Sequence, residues 1–229
     1  ISILIPAHNE EKIIGKTIES LLNDNYPNKK EIIVINDGST DNTGKIVSEY
    51  SKKHPQVRSI NLKHGGKSRS LNVGIKKSKY DILIILDADS VVEKNSLTEI
   101  VKPLKDKKVG GVAGCIRAIR NRNPLTWFQD FEYVISSGWR YLCTKINANS
   151  ILPGFSAFRK EALSKAGNFS SETLTEDFDI VFNMKKIGYE TRTSRDAVIF
   201  TDVPKTFKSF VRQRIRWSRG TIQVLKKHL

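Results

Sequence analysis

Ile82-Leu83-Ile84-Ile85-Leu86-Asp87-Ala88-Asp89 is the stretch on which the fold turns. Consecutive aliphatic residues ending on two carboxylates read as a strand buried on both faces, because a strand with one wet face alternates apolar and polar residues. Comparable runs precede it at Ile3 to Ala7, Glu31 to Asn36 and Val57 to Leu62. Helical patterns lie between them. The first has an apolar face of Ile13, Ile14, Ile18, Leu21 and Leu22 and is broken by Pro27 and Asn28; the others cover 40–51 and 68–77. Strands alternating with helices predict an α/β fold, a mostly parallel twisted sheet with helices on both faces. Such sheets bind ligands beyond the carboxyl ends of their strands. Polar chemistry collects at those ends: Ala7-His8-Asn9-Glu10, Asn36-Asp37-Gly38-Ser39, His64-Gly65-Gly66-Lys67-Ser68 and Asp87-Ala88-Asp89-Ser90.

The second half reads differently. A glycine-containing strand is expected over 109–119, a long aromatic helix over 125–146, and an extended segment over 151–158 that contains Pro153 and Gly154. A helix over 175–187 starts with acids at its positive end and closes at Gly188. Residues 189–203 are extended or irregular, and a basic helix covers 206–228. No linker separates the halves, so the chain reads as one domain, 1–229, with a bipartite organisation, 1–108 and 109–229.

Of the 229 residues, 38% are apolar, enough for a core, and no apolar stretch approaches the ~20 residues that cross a bilayer. Cys115 and Cys143 fit no metal or redox spacing and read as packed thiols in a reducing compartment. The formal charge of +15 implies an anionic partner. A nucleic-acid-binding domain would account for that charge alone, since acidic strand ends repel phosphates unless a metal intervenes.

Each motif has a plain alternative. Asp87 and Asp89 can share a hard divalent cation through oxygen ligands, or they form a solvated turn. Asp37 can accept from a base or ribose while Ser39 or Thr40 caps the next helix. The glycine loop at Lys67 resembles half a P-loop, but Asn61 stands where the full pattern needs glycine. His8 and His64 read as satisfied loop residues rather than metal ligands, since neither has a partner at ligand spacing in the sequence. Glu176 and Asp177 stabilise a helix start, and a carboxylate there can also be a general base. Gln213, Arg216 and Trp217 share one helix face, suited to a diphosphate and a sugar ring, or to anionic lipid.

In order along the chain, Pro6-Ala7-His8-Asn9-Glu10, Asn36-Asp37-Gly38-Ser39, Asp87-Ala88-Asp89, Thr175-Glu176-Asp177 and Gln213-Arg214-Ile215-Arg216-Trp217 resemble the processive branch of glycosyltransferase family 2. That branch includes cellulose, chitin, hyaluronan and poly-N-acetylglucosamine synthases. The loop at Lys67-Ser68 with Leu71-Asn72 looks most like the poly-β-1,6-N-acetylglucosamine and chitin-oligosaccharide enzymes.

The resemblance implies a GT-A fold and inverting transfer, with N-acetylglucosamine the best guess, from a UDP-sugar donor to the hydroxyl of a saccharide acceptor. It implies that Ala7, His8, Asn9, Glu10, Asp37 and Lys67 hold the uridine, and that Asp87, Ala88 and Asp89 lie at the diphosphate. Asp89, with Asp87, would bind Mg2+ or Mn2+. Asp177 would be the catalytic base beside Glu176, with Gln213 and Arg216 on the diphosphate and Trp217 on the acceptor. Gly154, Phe155 and Ser156 fall in the acceptor segment. His8 stands where many members carry Tyr. Members of this branch carry flanking membrane helices, so the chain is expected to be the cytosolic catalytic domain of a membrane protein, at the cytoplasmic face of an anionic membrane. A non-processive transferase to a lipid phosphate or protein would keep the fold, the metal and Asp177 but not require the 213–217 face.

Overall fold

The computed structural model describes residues 1–149 and 151–229. Its centre is one eight-stranded sheet in the order β3-β2-β1-β4-β7-β6-β8-β5. The first four strands to form in sequence are β1 (Ser2–Ala7), β2 (Glu31–Asp37), β3 (Val57–Leu62) and β4 (Ile82–Leu86), all parallel where they pair. Helices α1 (Ile14–Leu22), α2 (Thr43–Lys53) and α3 (Lys67–Lys77) connect them.

Their period-2 geometry explains the continuous apolar runs. Ile3, Ile5, Ile32, Val34, Ile84 and Leu86 face one layer, packed with Ile14, Ile18, Leu21 and Val47. Leu4, Ile33, Ile35, Leu83 and Ile85 face the other, packed with Leu71 and Ile75. Both sets leave water, as a strand buried on both faces requires.

Beyond β4 the chain forms β5 (Ser90–Val92), α4 (Ser96–Val101), a 3-10 turn at Lys102–Lys105 and β6 (Val109–Ala118). Then follow α5 (Pro124–Thr144), β7 (Phe155–Arg159), α6 (Lys160–Lys165), α7 (Glu176–Lys186), β8 (Glu190–Thr201) and α8 (Phe207–His228). β7 runs antiparallel to both β4 and β6, β5 runs antiparallel to β8, and β6 is parallel to β8. The mostly parallel reading therefore holds for the first half, and β7 is the point where direction changes. The stretch expected to be extended or irregular after Gly188 is a full strand. Gly188 ends α7 in the left-handed region (φ 85°), which glycine adopts without strain.

Three pairings position the cleft. β4 and β7 register Leu86 against Phe155, which sets Gly154 beside Asp87. β5 and β8 register Ser90 against Thr201, which sets the end of β8 beside Asp89. Helix α8 lies over α7 through Gly220, where a Cβ would come within 2.5 Å of Thr175. Its end is tied down by Lys227 and His228, both bonded to the buried carboxylate of Asp179. Cys115 and Cys143 are free, half-buried thiols.

Candidate active site

The loops after β1 and β2 are stitched together. Asn9, left-handed at φ 58°, donates its N–H to Ser39 Oγ (3.0 Å) and accepts from Thr40 N–H (2.8 Å). Glu10 N–H donates to Thr43 Oγ1 at 2.8 Å. Neither Ser39 nor Thr40 caps α2. The helix begins later, at Thr43, and Asp41 Oδ1 accepts from the Thr43 amide (3.0 Å), because Ser39 and Thr40 are engaged by Asn9.

Asp37 is buried and accepts from Gly65 N–H (3.0 Å) and Gly66 N–H (2.9 Å). Burial alone would raise its pKa, but those two amides outweigh it and hold the carboxyl below its ordinary value. The expected hydrogen bonds to a base or ribose thus compete with the glycine loop. The loop can close because residue 38 is glycine, where a Cβ would stand 2.6 Å from His64 N. His8 and His64 are satisfied loop residues, as expected: each Nδ1 approaches the Asp37 carbonyl oxygen, at 2.8 and 3.1 Å. The β1–α1 and β3–α3 loops meet over the end of β2.

Beyond this shelf lies a cleft of about 470 Å³. It gathers Lys67, Asp87, Asp89, Gly154, Glu176, Asp177, Gln213, Arg216 and Trp217, so residues from five separate segments line one space. The remaining expected residues are elsewhere. His8, Asn9, Glu10 and Asp37 belong to the shelf, while the side chains of Ala7, Ala88, Phe155 and Ser156 are buried in the protein. Ala88 carries a structural bond through its carbonyl, which accepts from Thr17 Oγ1 (2.8 Å), and Ser156 Oγ donates to Pro153 O.

The electrostatics of the cleft are those of crowded carboxylates. Lys67 Nζ lies 2.7 Å from Asp87 Oδ1 and 3.1 Å from Glu176 Oε1. Burial pulls its pKa down, but Asp87 and Glu176 outweigh burial and hold it above the ordinary lysine value. Asp177 is pushed up to about 7 by burial first and then by Glu176, against the pull of Lys67. Burial and then Asp87 push Asp89 up to about 6, although Thr201 and Ser90 hydroxyls donate to it at 3.1 and 3.2 Å. Glu10, on the shelf, is raised to about 7 by burial and then by Asp89 and Asp41. Among the described residues, Thr175 Oγ1, Gln213 Oε1 and Arg140 Nε are buried without a hydrogen-bond partner, as groups in a ligand site are.

Among the cleft residues that escaped sequence reasoning are Glu132, Tyr133, Ser136 and Arg140, all on α5. Their signal was present. Polar side chains at 132, 133, 136 and 140 follow the helical i, i+3, i+4 spacing and mark a wet stripe on an otherwise aromatic helix. Thr201 and Asp202 were missed because only the β5–β8 pairing brings them to Asp89.

An acidic cleft at the carboxyl end of the parallel strands, in a sheet of this order, defines a GT-A glycosyltransferase. The family model of glycosyl transferase family 2 matches residues 2–167. A probable glycosyltransferase of Bacillus subtilis, YdaM, is 36% identical over 241 residues, covering 100% of this chain and 57% of its own length. A poly-beta-1,6-N-acetyl-D-glucosamine synthase of Staphylococcus epidermidis is 34% identical, covering 98% of this chain and 55% of its own. The mannosyltransferase PcManGT from Pyrobaculum calidifontis, solved with GDP-Man and Mn2+, superposes with a TM-score of 0.81 at 26% identity, covering 99% of this chain and 63% of its own. The chain belongs to glycosyl transferase family 2, and it spans a little over half the length of these curated relatives.

Proposed function

We propose that this chain is the catalytic unit of an inverting, divalent-metal-dependent transferase that moves N-acetylglucosamine from UDP-N-acetylglucosamine to a hydroxyl of a growing polysaccharide. The observation that carries the reading is Asp177, a carboxyl raised to about 7 in the same cleft as the Asp87 and Asp89 pair.

Asp87 and Asp89 suit a hard cation. They offer only oxygen, burial and then their mutual crowding raise Asp89, and among the described residues Lys67 is the one cation bonded to the pair. When bound, Mg2+ or Mn2+ would neutralise charge building on the departing diphosphate. The chain's own residues do the rest. Asp177 holds a proton affinity near neutrality, as a general base requires. It takes the proton of the acceptor hydroxyl while that oxygen bonds to the anomeric carbon. The bond from that carbon to the diphosphate oxygen breaks, and its electron pair leaves with UDP. Attack opposite the leaving group inverts the anomeric centre. Arg216 and Gln213 present a guanidinium and an unpartnered amide oxygen to the cleft, and Arg216 is the group suited to the diphosphate. Trp217 offers an indole on which a sugar ring stacks. The base is assigned to the shelf of His8, Asn9, Glu10 and Asp37.

N-acetylglucosamine is favoured by the polysaccharide synthases at about one-third identity across nearly the whole chain. GDP-mannose is the rival donor, favoured by the archaeal mannosyltransferase complex. We also place the chain at the cytoplasmic face of a membrane. Trp127, Phe128, Phe131, Ile135 and Trp139 expose more than half of their surface along α5, and a formal charge of +15 favours anionic lipid. Among the described residues no helix is long and apolar enough to cross a membrane.

Calorimetric titration with UDP-N-acetylglucosamine and GDP-mannose, each with and without Mn2+, tests the donor. Metal-dependent binding of the uridine compound alone supports the reading. Preference for GDP-mannose replaces the donor, and binding indifferent to Mn2+ removes the metal.

A further inference from the structure

The shelf at the end of β2 holds two imidazoles that take no part in the proton transfer. His8 and His64 come from loops 56 positions apart in sequence, yet their rings lie 4.4 Å apart, centroid to centroid, tilted by 33°. Both Nδ1 atoms point at the same place. His8 Nδ1 is 2.8 Å from the Asp37 carbonyl oxygen, and His64 Nδ1 is 3.1 Å from it and 2.9 Å from Asp37 Oδ2. One ring nitrogen from each histidine and one carboxylate oxygen of Asp37 all fall within 4.8 Å of one another.

The 2.9 Å between His64 Nδ1 and Asp37 Oδ2 is close to an edge of a coordination polyhedron, and a ring nitrogen of His8 lies within 4.8 Å of both atoms. Ligand atoms about 2.1 Å from a common ion and set at right angles lie about 3.0 Å apart. The approach is built into the backbone: Gly38 and Gly66 are left-handed (φ 67° and 89°), and any side chain at 38 would collide with the backbone of His64. The buried Asp37 is held by the Gly65 and Gly66 amides, so it is anchored in place. Each of its oxygens has a second lone pair for another partner.

We propose that His8, His64 and Asp37 form a second cation site, distinct in chemistry from Asp87 and Asp89, that takes a borderline transition-metal ion such as Zn2+ or Co2+. Two imidazoles and one carboxylate select these ions over Mg2+ and Mn2+, which prefer all-oxygen sets. The exposed rings leave the remaining coordination positions to solvent. The site rests on these three side chains and not on the assignment of the donor. If that assignment holds as well, an ion here occupies the shelf given to the base, and Zn2+ acts as an inhibitor competitive with the nucleotide.

The test is titration of the chain with Co2+ in the presence of excess Mg2+, followed by visible absorption and, for Zn2+, by calorimetry. The parent, Asp89→Ala and His54→Gln should each bind one equivalent with nitrogen-ligated Co2+ bands. His8→Gln and His64→Gln should each weaken binding at least tenfold, and the double variant should lose the bands, with circular dichroism unchanged because both rings are exposed. Undiminished binding in the double variant, or no Co2+ or Zn2+ binding by the parent, overturns the site. Loss of the ion in Asp89→Ala with retention in the double variant would assign it to the aspartate pair instead. Zn2+ that binds through the histidines without displacing UDP would leave the site standing and move the base elsewhere.

Discussion

A methyl group at position 154 would lie 1.8 Å from Asp87 Oδ2, closer than any non-bonded contact allows. The two residues are also joined through the backbone, where Asp87 N–H donates to Gly154 O at 2.9 Å. Glycine is needed here for space and not for a left-handed turn. Gly154→Ala should swing the Asp87 carboxylate out of its position beside Lys67 while leaving the β4–β7 pairing intact. Mn2+-dependent nucleotide binding should weaken by about tenfold, or ~1.4 kcal/mol, measured by calorimetry. Unchanged metal-dependent affinity would show that Asp87 is not at the cation.

Asp177 sets the acid limb of the reaction. Burial, followed by Glu176, raises it to about 7, and Lys67 opposes them. The base works as a carboxylate, so transfer should fall as pH drops through about 7. Asp177→Asn should cost about 10²–10⁴-fold in kcat and abolish that limb, with nucleotide affinity close to the parent's. A variant that kept the limb would point to Glu10, the other carboxyl raised to about 7.

The first half of this architecture was legible because local and global signals agreed. A run such as Ile82 to Leu86 has no other stable home than a strand buried on both faces, and each run ended on polar residues at one edge. The second half was harder. Pro153 and Gly154 read as an extended segment, but nothing in their spacing said that β7 would run antiparallel to β4 and deliver Gly154 to Asp87. Asp37 was recognised as a site residue, yet its partners, the Gly65 and Gly66 amides, come from a loop 28 residues on. The pairing of His8 with His64 was likewise out of reach, since it depends on which strands neighbour β2. Short elements such as β5 and α6 carry too few residues for a period to show.

The raised carboxyl also makes a prediction about stability. A group whose folded pKa exceeds its unfolded value supports the fold when protonated and loses that support as pH rises. For Asp177 the window runs from 3.8 to about 7. Without metal or nucleotide, the chain should therefore lose stability across that range. Asp177→Asn removes the charge, so its melting temperature should exceed the parent's at pH 8 and converge with it near pH 4. Each kcal/mol recovered is worth about 2–4 °C in a chain of this size. A melting difference independent of pH would mean that Asp177 is not strained by its surroundings.

Arg214 explains how Trp217 is held without contacting the cleft itself. Its guanidinium carbon lies 4.1 Å from the Trp217 ring centre and 4.7 Å from that of Phe210, and an ion pair joins it to Glu132 on α5. Buried Nε and Nη1 have no hydrogen-bond partner among the described residues, so the stacked rings provide their environment. Stacking of this kind needs a planar, weakly hydrated cation, which lysine is not. Arg214 is thus a positioning residue: it ties α8 to α5 and fixes the indole offered to the acceptor. Arg214→Ala should raise the KM for acceptor by about tenfold, the loss of one ~1.4 kcal/mol contact, with donor KM nearly unchanged. It should also shift Trp217 fluorescence. Arg214→Lys should restore the ion pair but not the indole position, giving an intermediate acceptor KM and the altered fluorescence. Equal rises in donor and acceptor KM would instead mean that the substitution loosens α8 as a whole, and Trp217 would lose its assignment to the acceptor.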